Sequence, residues 1–332
     1  SLMEMSHRSK EYDAVHESAI AGVKTLLNVP DNYTVMFLQG GASQQFAMLP
    51  MNFAQNKAVD VIHTGSWTKK AIGELKKGYQ HHVVASSEDD NFLKLPDLST
   101  VAFNQDAAYT YMCSNNTIFG TQFKSFPTQL NAPLVADMSS DILSRELNVS
   151  DFGIIFAGAQ KNIGPSGVTL VIIRNDLLDQ CPSDIPNFFN YKTHADANSL
   201  YNTPPTFAIY MASLVFERLI QHGGLAAQEK RNQEKAKVLY DAIDQSDLFY
   251  CPVPEQDRSL MNVVFRQKDH NEAIEKQFIA DAKTAGFDGI KGHRSVGGLR
   301  ASIYNAQPQS NIERFVAFMH EHSKNLATQT AT

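Results

Sequence analysis

Lys161 is the residue with the most chemistry to offer. It ends the apolar stretch Phe152-Gly153-Ile154-Ile155-Phe156-Ala157-Gly158-Ala159-Gln160 and opens the turn Asn162-Ile163-Gly164-Pro165-Ser166-Gly167. Partial burial at such a place lowers an amine's pKa, and a neutral amine can attack a carbonyl to form a Schiff base. Asp137 closes a second apolar segment, Pro133 to Ala136, ahead of Met138-Ser139-Ser140. Its carboxylate either caps a following helix or faces a protonated ring nitrogen, holding the proton on. Gly40-Gly41-Ala42-Ser43 stands between a strand pattern and a helix pattern. It is either an ordinary turn or a place where backbone N–H groups and a helix dipole hold a phosphate. Trp67, the only tryptophan, follows His63-Thr64-Gly65-Ser66 and either stacks on a planar ligand or fills core. Ser114-Asn115-Asn116-Thr117 adds hydroxyl and amide groups after another apolar strand.

Phosphate cradle, stacking ring, hydroxyl, ring-nitrogen carboxylate and Schiff-base lysine together are the parts that pyridoxal 5′-phosphate requires. A second constellation suits anions. His7-Arg8 and His293-Arg294, with Arg300, concentrate cationic groups in two short segments, and arginine pairs bidentately with carboxylate or phosphate. Gly292, Gly297 and Gly298 let backbone or ligand come close to the second of them.

The elements that must position these residues follow from periodicity. Tyr12, Val15, Ala19, Val23 and Leu26 recur at helical spacing before Pro30. Tyr33 to Gln39 reads as a strand and Ala42 to Ala54 as a helix that Pro50 kinks or ends. Strands are expected at Val59 to His63, His81 to Ala85, Ala107 to Cys113, Leu134 to Asp137, Gly153 to Ala157 and Val168 to Ile173, with a helix at Trp67 to Lys77. This alternation predicts an α/β chain whose largely parallel sheet is covered on both faces, with ligands bound beyond the carboxyl ends of its strands. A helix from Phe207 to Ile220 ends at Gly223-Gly224, and a charged helix, Leu225 to Ile243, follows. Strands near Met261 to Phe265 and Leu299 to Tyr304, and helices at Glu272 to Thr284 and from Ile312, complete a smaller α+β domain. The expected division is 1–223 and 224–332, with the tail from Ala327 frayed.

Composition sets the outer bounds. A chain of 332 residues suggests about two domains at roughly 150 residues each. With 43% hydrophobic and 19% charged residues it is neither disordered nor a coiled coil. A net charge of -6 gives no general reason to expect nucleic acid or an anionic membrane as partner. Cys113, Cys181 and Cys251 lack metal-site spacing and are expected to be reduced, buried thiols, so no metal site is expected. The apolar run Val168 to Ile173 is far shorter than the roughly 20 residues that span a bilayer, and no signal-peptide region opens the chain. A cytoplasmic protein is the expectation.

Over essentially its whole length the chain resembles the phosphoserine aminotransferases, class V aminotransferases of the pyridoxal-phosphate fold type I group. The resemblance rests on Met5-Ser6-His7-Arg8-Ser9, Phe37-Leu38-Gln39-Gly40-Gly41-Ala42-Ser43, Ala136-Asp137-Met138-Ser139-Ser140, Gly158-Ala159-Gln160-Lys161-Asn162, Tyr201-Asn202-Thr203-Pro204-Pro205-Thr206 and Gly292-His293-Arg294-Ser295-Val296-Gly297-Gly298-Leu299-Arg300. It implies a mainly parallel seven-stranded sheet in the large domain and a homodimer with shared active sites. Lys161 is implied as the cofactor-binding and catalytic lysine and Asp137 as partner of the pyridine nitrogen. Trp67 would stack on the ring, and Thr117 and Gln160 would bond its polar edges. Ala42 and Ser43 would give backbone N–H groups to the phosphate, joined by Asn202 and Thr203 of the second subunit. Some relatives carry arginine where Ser43 stands, so only the backbone role is expected there.

Arg300 is implied as the grip on the substrate α-carboxylate. His293 and Arg294, with His7 and Arg8 of the neighbouring subunit, would surround the distal anion. The implied reaction is ping-pong transfer of an amino group from L-glutamate to 3-phosphohydroxypyruvate, giving 2-oxoglutarate and O-phospho-L-serine for serine biosynthesis. Two other class V readings stand beside it. One is an aminotransferase acting on alanine, serine or glyoxylate. The other is a cysteine desulfurase, disfavoured because none of the three cysteines lies in an obvious flexible late loop. A third alternative comes from the start, Ser1-Leu2-Met3-Glu4, which brings the His7-Arg8 motif almost at once. Family members carry a segment before it, so a shortened chain that keeps the fold but binds cofactor and dimerises poorly is also expected as a rival.

Overall fold

The computed structural model describes residues 2–330. Helix α1 (Lys10–Leu27) begins at Ser9, whose side chain accepts from the Tyr12 N–H, and stops at Asn28 in a left-handed conformation. Then come β1 (Tyr33–Leu38), α2 (Gly41–Phe53), β2 (Val59–His63), α3 (Ser66–Leu75), β3 (His81–Ser86) and β4 (Thr110–Cys113). A short hairpin of β5 (Asn115–Asn116) and β6 (Thr121–Gln122) precedes β7 (Leu134–Asp137), β8 (Ile154–Gly158) and β9 (Thr169–Arg174). Seven of these strands form one sheet in the order β1-β9-β8-β7-β4-β2-β3. The pairings from β8 to β3 are parallel, while β9 runs antiparallel to both β8 and β1. The sheet is therefore mainly parallel, as expected, with one reversed strand that periodicity did not reveal.

Apart from the partly exposed edge strand β3, its strands read as largely apolar runs because both faces are covered. Val35, Phe37, Leu134, Ala136, Ile155, Leu170 and Ile172 pack with Ala19 and Val23 of α1 on one face. The alternate residues Met36, Leu38, Val135, Ile154, Phe156, Val171 and Ile173 pack with Phe46 and Leu49 of α2 on the other. Pro50 does not end α2: the helix continues through Phe53, and the Ala54 N–H donates to the Pro50 carbonyl at 3.0 Å. So close to the end, the missing Pro50 N–H costs little, because few turns remain to be disrupted.

The rest of the chain forms α4 (Asn175–Leu178), α5 (Tyr191–Asp196), α6 (Thr206–Gln221), α7 (Gly224–Asp244), β10 (Phe249–Tyr250), β11 (Asn262–Gln267), α8 (Glu272–Thr284), β12 (Leu299–Ser302) and α9 (Gln309–Thr330). Strands β10, β11 and β12 make an antiparallel sheet. One face of it, with Val263, Phe265, Leu299 and Ala301, is buried against Leu239 of α7, Phe278 of α8 and Phe315 of α9. We propose the domain division at Gly223-Gly224, where φ values of 93° and 67° let the chain turn between α6 and α7. Of the frayed tail expected from Ala327, α9 continues through Thr330, and residues 331 and 332 lie outside the described residues. The cysteines are free, but only Cys113 is buried; Cys181 and Cys251 are half-buried at the margins of two hydrophobic clusters. Among the described residues no helix is long and apolar enough to cross a membrane.

Candidate active site

The carboxyl ends of β1, β2, β4, β7 and β8 carry the residues singled out by their chemistry. After β8, Lys161 points its Nζ at Thr117 Oγ1, 3.0 Å away, and lies 5.6 Å from the centre of the Trp67 ring. Burial lowers the Lys161 pKa, while the charge of Asp137 partly restores it and that of Arg300 lowers it further. Burial also raises the pKa of Asp137, against hydrogen bonds from Ser139 and the charge of Lys161 that favour its ionised form. Each of these two groups thus faces a partial counter-charge in a site that penalises any charge.

Ser139 fixes their relative placement. Its N–H donates to Asp137 Oδ1 at 2.9 Å, and its hydroxyl accepts from the Gly158 N–H at 3.0 Å. The ends of β7 and β8 are cross-linked by this one residue, through its backbone N–H and its hydroxyl. Periodicity did not single out Ser139 for this; the signal available was an Asp followed two residues later by a backbone donor, the Asx-turn spacing.

Arg300 reaches the same point from the small sheet. Val264 pairs with Arg300 across β11 and β12, and Arg300 Nη1 donates to the Thr117 carbonyl at 3.2 Å. Its Nε is buried and has no hydrogen-bond partner among the described residues. Trp67 Nε1 is likewise buried without a partner. Lys70, missed in the sequence although it lies one helical turn beyond Trp67, places its Nζ 4.7 Å from the ring centre. His293 has its pKa lowered by burial and then by the positive charges of Arg300, Arg294 and Lys70. Its Nδ1 lies 2.7 Å from Ser295 Oγ.

At the end of β1, Gly40 and Gly41 take φ values of 85° and 65°, which turn the chain directly into α2. A Cβ on Gly41 would meet nothing within 4 Å. The first turn of α2, with half-buried Ala42 and exposed Ser43, receives no side-chain cap from Gly40, so its N–H groups lack an intrahelical partner. Gln160 is exposed and lies against Gly158. Asn202 and Thr203 lie in the loop before α6, where the Thr203 carbonyl accepts from Gln39 Nε2 of the same chain at 2.8 Å. His7 is half-buried and Arg8 exposed ahead of α1, and among the described residues neither makes a hydrogen bond to His293 or Arg294. One chain thus brings together Lys161, Thr117, Trp67, Asp137 and Arg300, and leaves Asn202, Thr203, His7 and Arg8 apart from them.

The chain is similar to known proteins over nearly its whole length. The family model described as aminotransferase class V matches residues 2–315. The phosphoserine aminotransferase of Geobacillus kaustophilus is 56% identical over 331 residues, covering 98% of this chain and 91% of that protein. The solved structure of phosphoserine aminotransferase from Bacillus circulans subsp. alkalophilus superposes with a TM-score of 0.95 at 48% identity, covering 98% of this chain and 90% of that one. A structure described as PLP-bound phosphoserine aminotransferase from Trichomonas vaginalis gives 0.91 at 39% identity, covering 98% and 91%. The chain belongs to the class V aminotransferases and, within them, to the phosphoserine aminotransferase family.

Proposed function

We propose that this chain transfers an amino group from L-glutamate to 3-phosphohydroxypyruvate, in ping-pong order, giving 2-oxoglutarate and O-phospho-L-serine for serine biosynthesis, with pyridoxal 5′-phosphate as cofactor. The observation that carries the reading is the meeting at Thr117. Its hydroxyl binds Lys161 Nζ and its carbonyl binds Arg300 Nη1, so an amine for the cofactor and a fork for a carboxylate adjoin across one residue. The residues fit the cofactor. Asp137 is a buried carboxylate on the side of Lys161, Trp67 supplies a flat ring beside that amine, and the first turn of α2 has uncapped N–H groups. When bound, pyridoxal 5′-phosphate supplies an aldehyde that condenses with amines and a protonated ring that draws electrons from the substrate Cα.

Each side chain then has a task. Lys161 Nζ, whose pKa burial lowers, would hold the cofactor and, once released, carry a proton to or from the substrate Cα. Asp137 keeps the ring nitrogen protonated, and Ser139 keeps Asp137 from turning away. Thr117 and Gln160 bond the polar edges of the ring, and Ala42 and Ser43 bind the cofactor phosphate. Arg300 clamps the α-carboxylate; its unpaired Nε and its Nη1 are the donors available to it. His293 and Arg294 receive the second anionic end of either substrate, together with His7 and Arg8 of a second copy. That copy would also bring Asn202 and Thr203 to the phosphate. Tyr201, 45% exposed, and Phe207, 56% exposed, flank those two residues and give a homodimer an apolar contact beside them.

The test is the absorbance spectrum of the purified chain with cofactor, before and after glutamate. A visible band that forms and then collapses on adding glutamate supports the reading, and turnover with 3-phosphohydroxypyruvate but not with its unphosphorylated counterpart fixes the substrate. A band that glutamate leaves unchanged overturns it.

A further inference from the structure

Trp67 is the second residue of α3, and the hydroxyl of its neighbour Thr68 holds the turn that precedes it. Thr68 Oγ1 accepts from the N–H groups of Thr64 and Gly65, both at 3.1 Å. It also lies 2.9 Å from the Gly65 carbonyl and 2.7 Å from His63 Nδ1. A threonine hydroxyl has one proton and two acceptor sites. The two backbone N–H groups fill both acceptor sites, so His63 Nδ1 and the Gly65 carbonyl compete for one proton. The Gly65 carbonyl already accepts from the Lys69 N–H at 3.0 Å. The contact to His63 Nδ1 is the shorter of the two, and with the ring proton on Nε2 the neutral His63 accepts from Thr68 there.

The surroundings keep His63 in that state. The ring is buried, with the ring of Phe92 4.9 Å away and Phe119 beyond it, 5.0 Å from Phe92. The charges facing it are Glu88, which raises its pKa, and Lys69, which lowers it, and these two lie 4.0 Å apart. Burial outweighs both and holds the pKa below the ordinary histidine value. Gly65 is walled in as well, since a Cβ there would come within 3.0 Å of Asn116 Oδ1 and 3.1 Å of Phe119. The turn from Thr64 to Ser66 is thus pinned at its centre by one hydroxyl and backed by one histidine.

We propose that Thr68, held by its hydrogen bond to His63, is a positioning residue that fixes the plane of the Trp67 ring against the cofactor. The proposal rests on the reading of Trp67 as the ring that meets pyridoxal 5′-phosphate. Acting through Trp67 rather than on the reactants, Thr68 and His63 set how tightly the cofactor is held.

Trp67 is the only tryptophan, so emission excited selectively at tryptophan reports on it alone. In the wild-type chain, adding pyridoxal 5′-phosphate should quench this emission. Thr68→Val should lower the anisotropy of the Trp67 emission in the apo chain and raise the cofactor dissociation constant roughly three- to tenfold, the weight of one hydrogen bond. Thr68→Ser, which keeps the hydroxyl, should restore both. His63→Phe removes the acceptor together with the Nε2 donor and should act in the direction of Thr68→Val, while His63→Gln, which offers a carbonyl and an N–H, should not. Acidifying the apo wild type below the ordinary histidine range should change the emission, and His63→Gln should abolish that change. If quenching is intact but Thr68→Val and His63→Phe both keep wild-type anisotropy and dissociation constant, the proposal is overturned. A visible band that forms with no quenching in the wild type instead removes the reading of Trp67 and the proposal with it.

Discussion

Replacing Arg300 with methionine separates what the residue does for the fold from what it does for substrate. In the free chain the substitution loses one hydrogen bond, Nη1 to the Thr117 carbonyl at 3.2 Å, worth about 1 kcal/mol net. It also removes a buried N–H that has no partner, Nε, and such a group costs roughly 1–3 kcal/mol. The second effect matches or exceeds the first, so Arg300→Met should leave the chain as stable as the wild type or more stable by up to about 2 kcal/mol. The effect on substrate has the opposite sign. A carboxylate loses charge-assisted bonds of about 1.5–3 kcal/mol each, and the KM for glutamate should rise on the order of ten- to a hundredfold or more. The Arg300 charge also lowers the Lys161 pKa, so its removal should shift the pH at which apo Lys161 reacts with added pyridoxal 5′-phosphate upward. Urea unfolding of the apo chain, steady-state kinetics in glutamate and the pH dependence of visible-band formation measure the three effects. A variant destabilised by more than about 1 kcal/mol, or one with an unchanged KM for glutamate, would refute the assignment of the orphaned guanidinium to substrate.

Lys161→Ala should give a folded chain with neither a visible cofactor band nor turnover; retention of both defeats its role. Asp137→Asn should reduce turnover on the order of a hundredfold. Because the Asp137 charge raises the Lys161 pKa, this variant should also move apo Lys161 reactivity to lower pH, opposite to Arg300→Met. An unshifted profile would show that the two groups do not sense each other. Gly41→Ala forces a side chain into a φ of 65°, costing about 1 kcal/mol, and should weaken cofactor binding at the α2 N-terminus while leaving kcat at saturating cofactor near wild type. A dissociation constant equal to the wild type's would remove the cradle from the site.

Asp137 and Lys161 were legible because each ends or follows a run too apolar to lie anywhere but in a covered sheet. A charged residue in that position has to emerge at a strand end, where open α/β sheets bind ligands. The direction of β9 was not legible in the same way. Thr169–Arg174 is buried on both faces, as its parallel neighbours are, and burial alone does not record which way a strand runs. The usable signal lay in the connection. From Gly158 to Thr169 the chain has only a glycine-containing turn, too short for the helical crossover, of a dozen or more residues, that a parallel neighbour needs.

That reversal shapes the site. Since β9 returns at once beside β8, the segment from Ala159 to Val168 is a tight loop held at both ends, with the Ala159 N–H on the Val168 carbonyl at 3.0 Å and the Gly164 N–H on the Ala159 carbonyl at 2.8 Å. Lys161 sits inside this loop, so its backbone has little freedom and its Nζ is directed by side-chain torsions alone. Ser139 ties the strand beneath it to Asp137, and Thr117 ties its amine to Arg300. The last of these ties joins residues 183 positions apart through the register of β11 with β12, and no local spacing in the sequence contains it. A substitution in the small sheet that shifts that register would therefore disturb Arg300 first and Lys161 only through Thr117. Its signature should be a raised KM for glutamate with a nearly unchanged cofactor band, and loss of the band before any change in KM would contradict this order of connection.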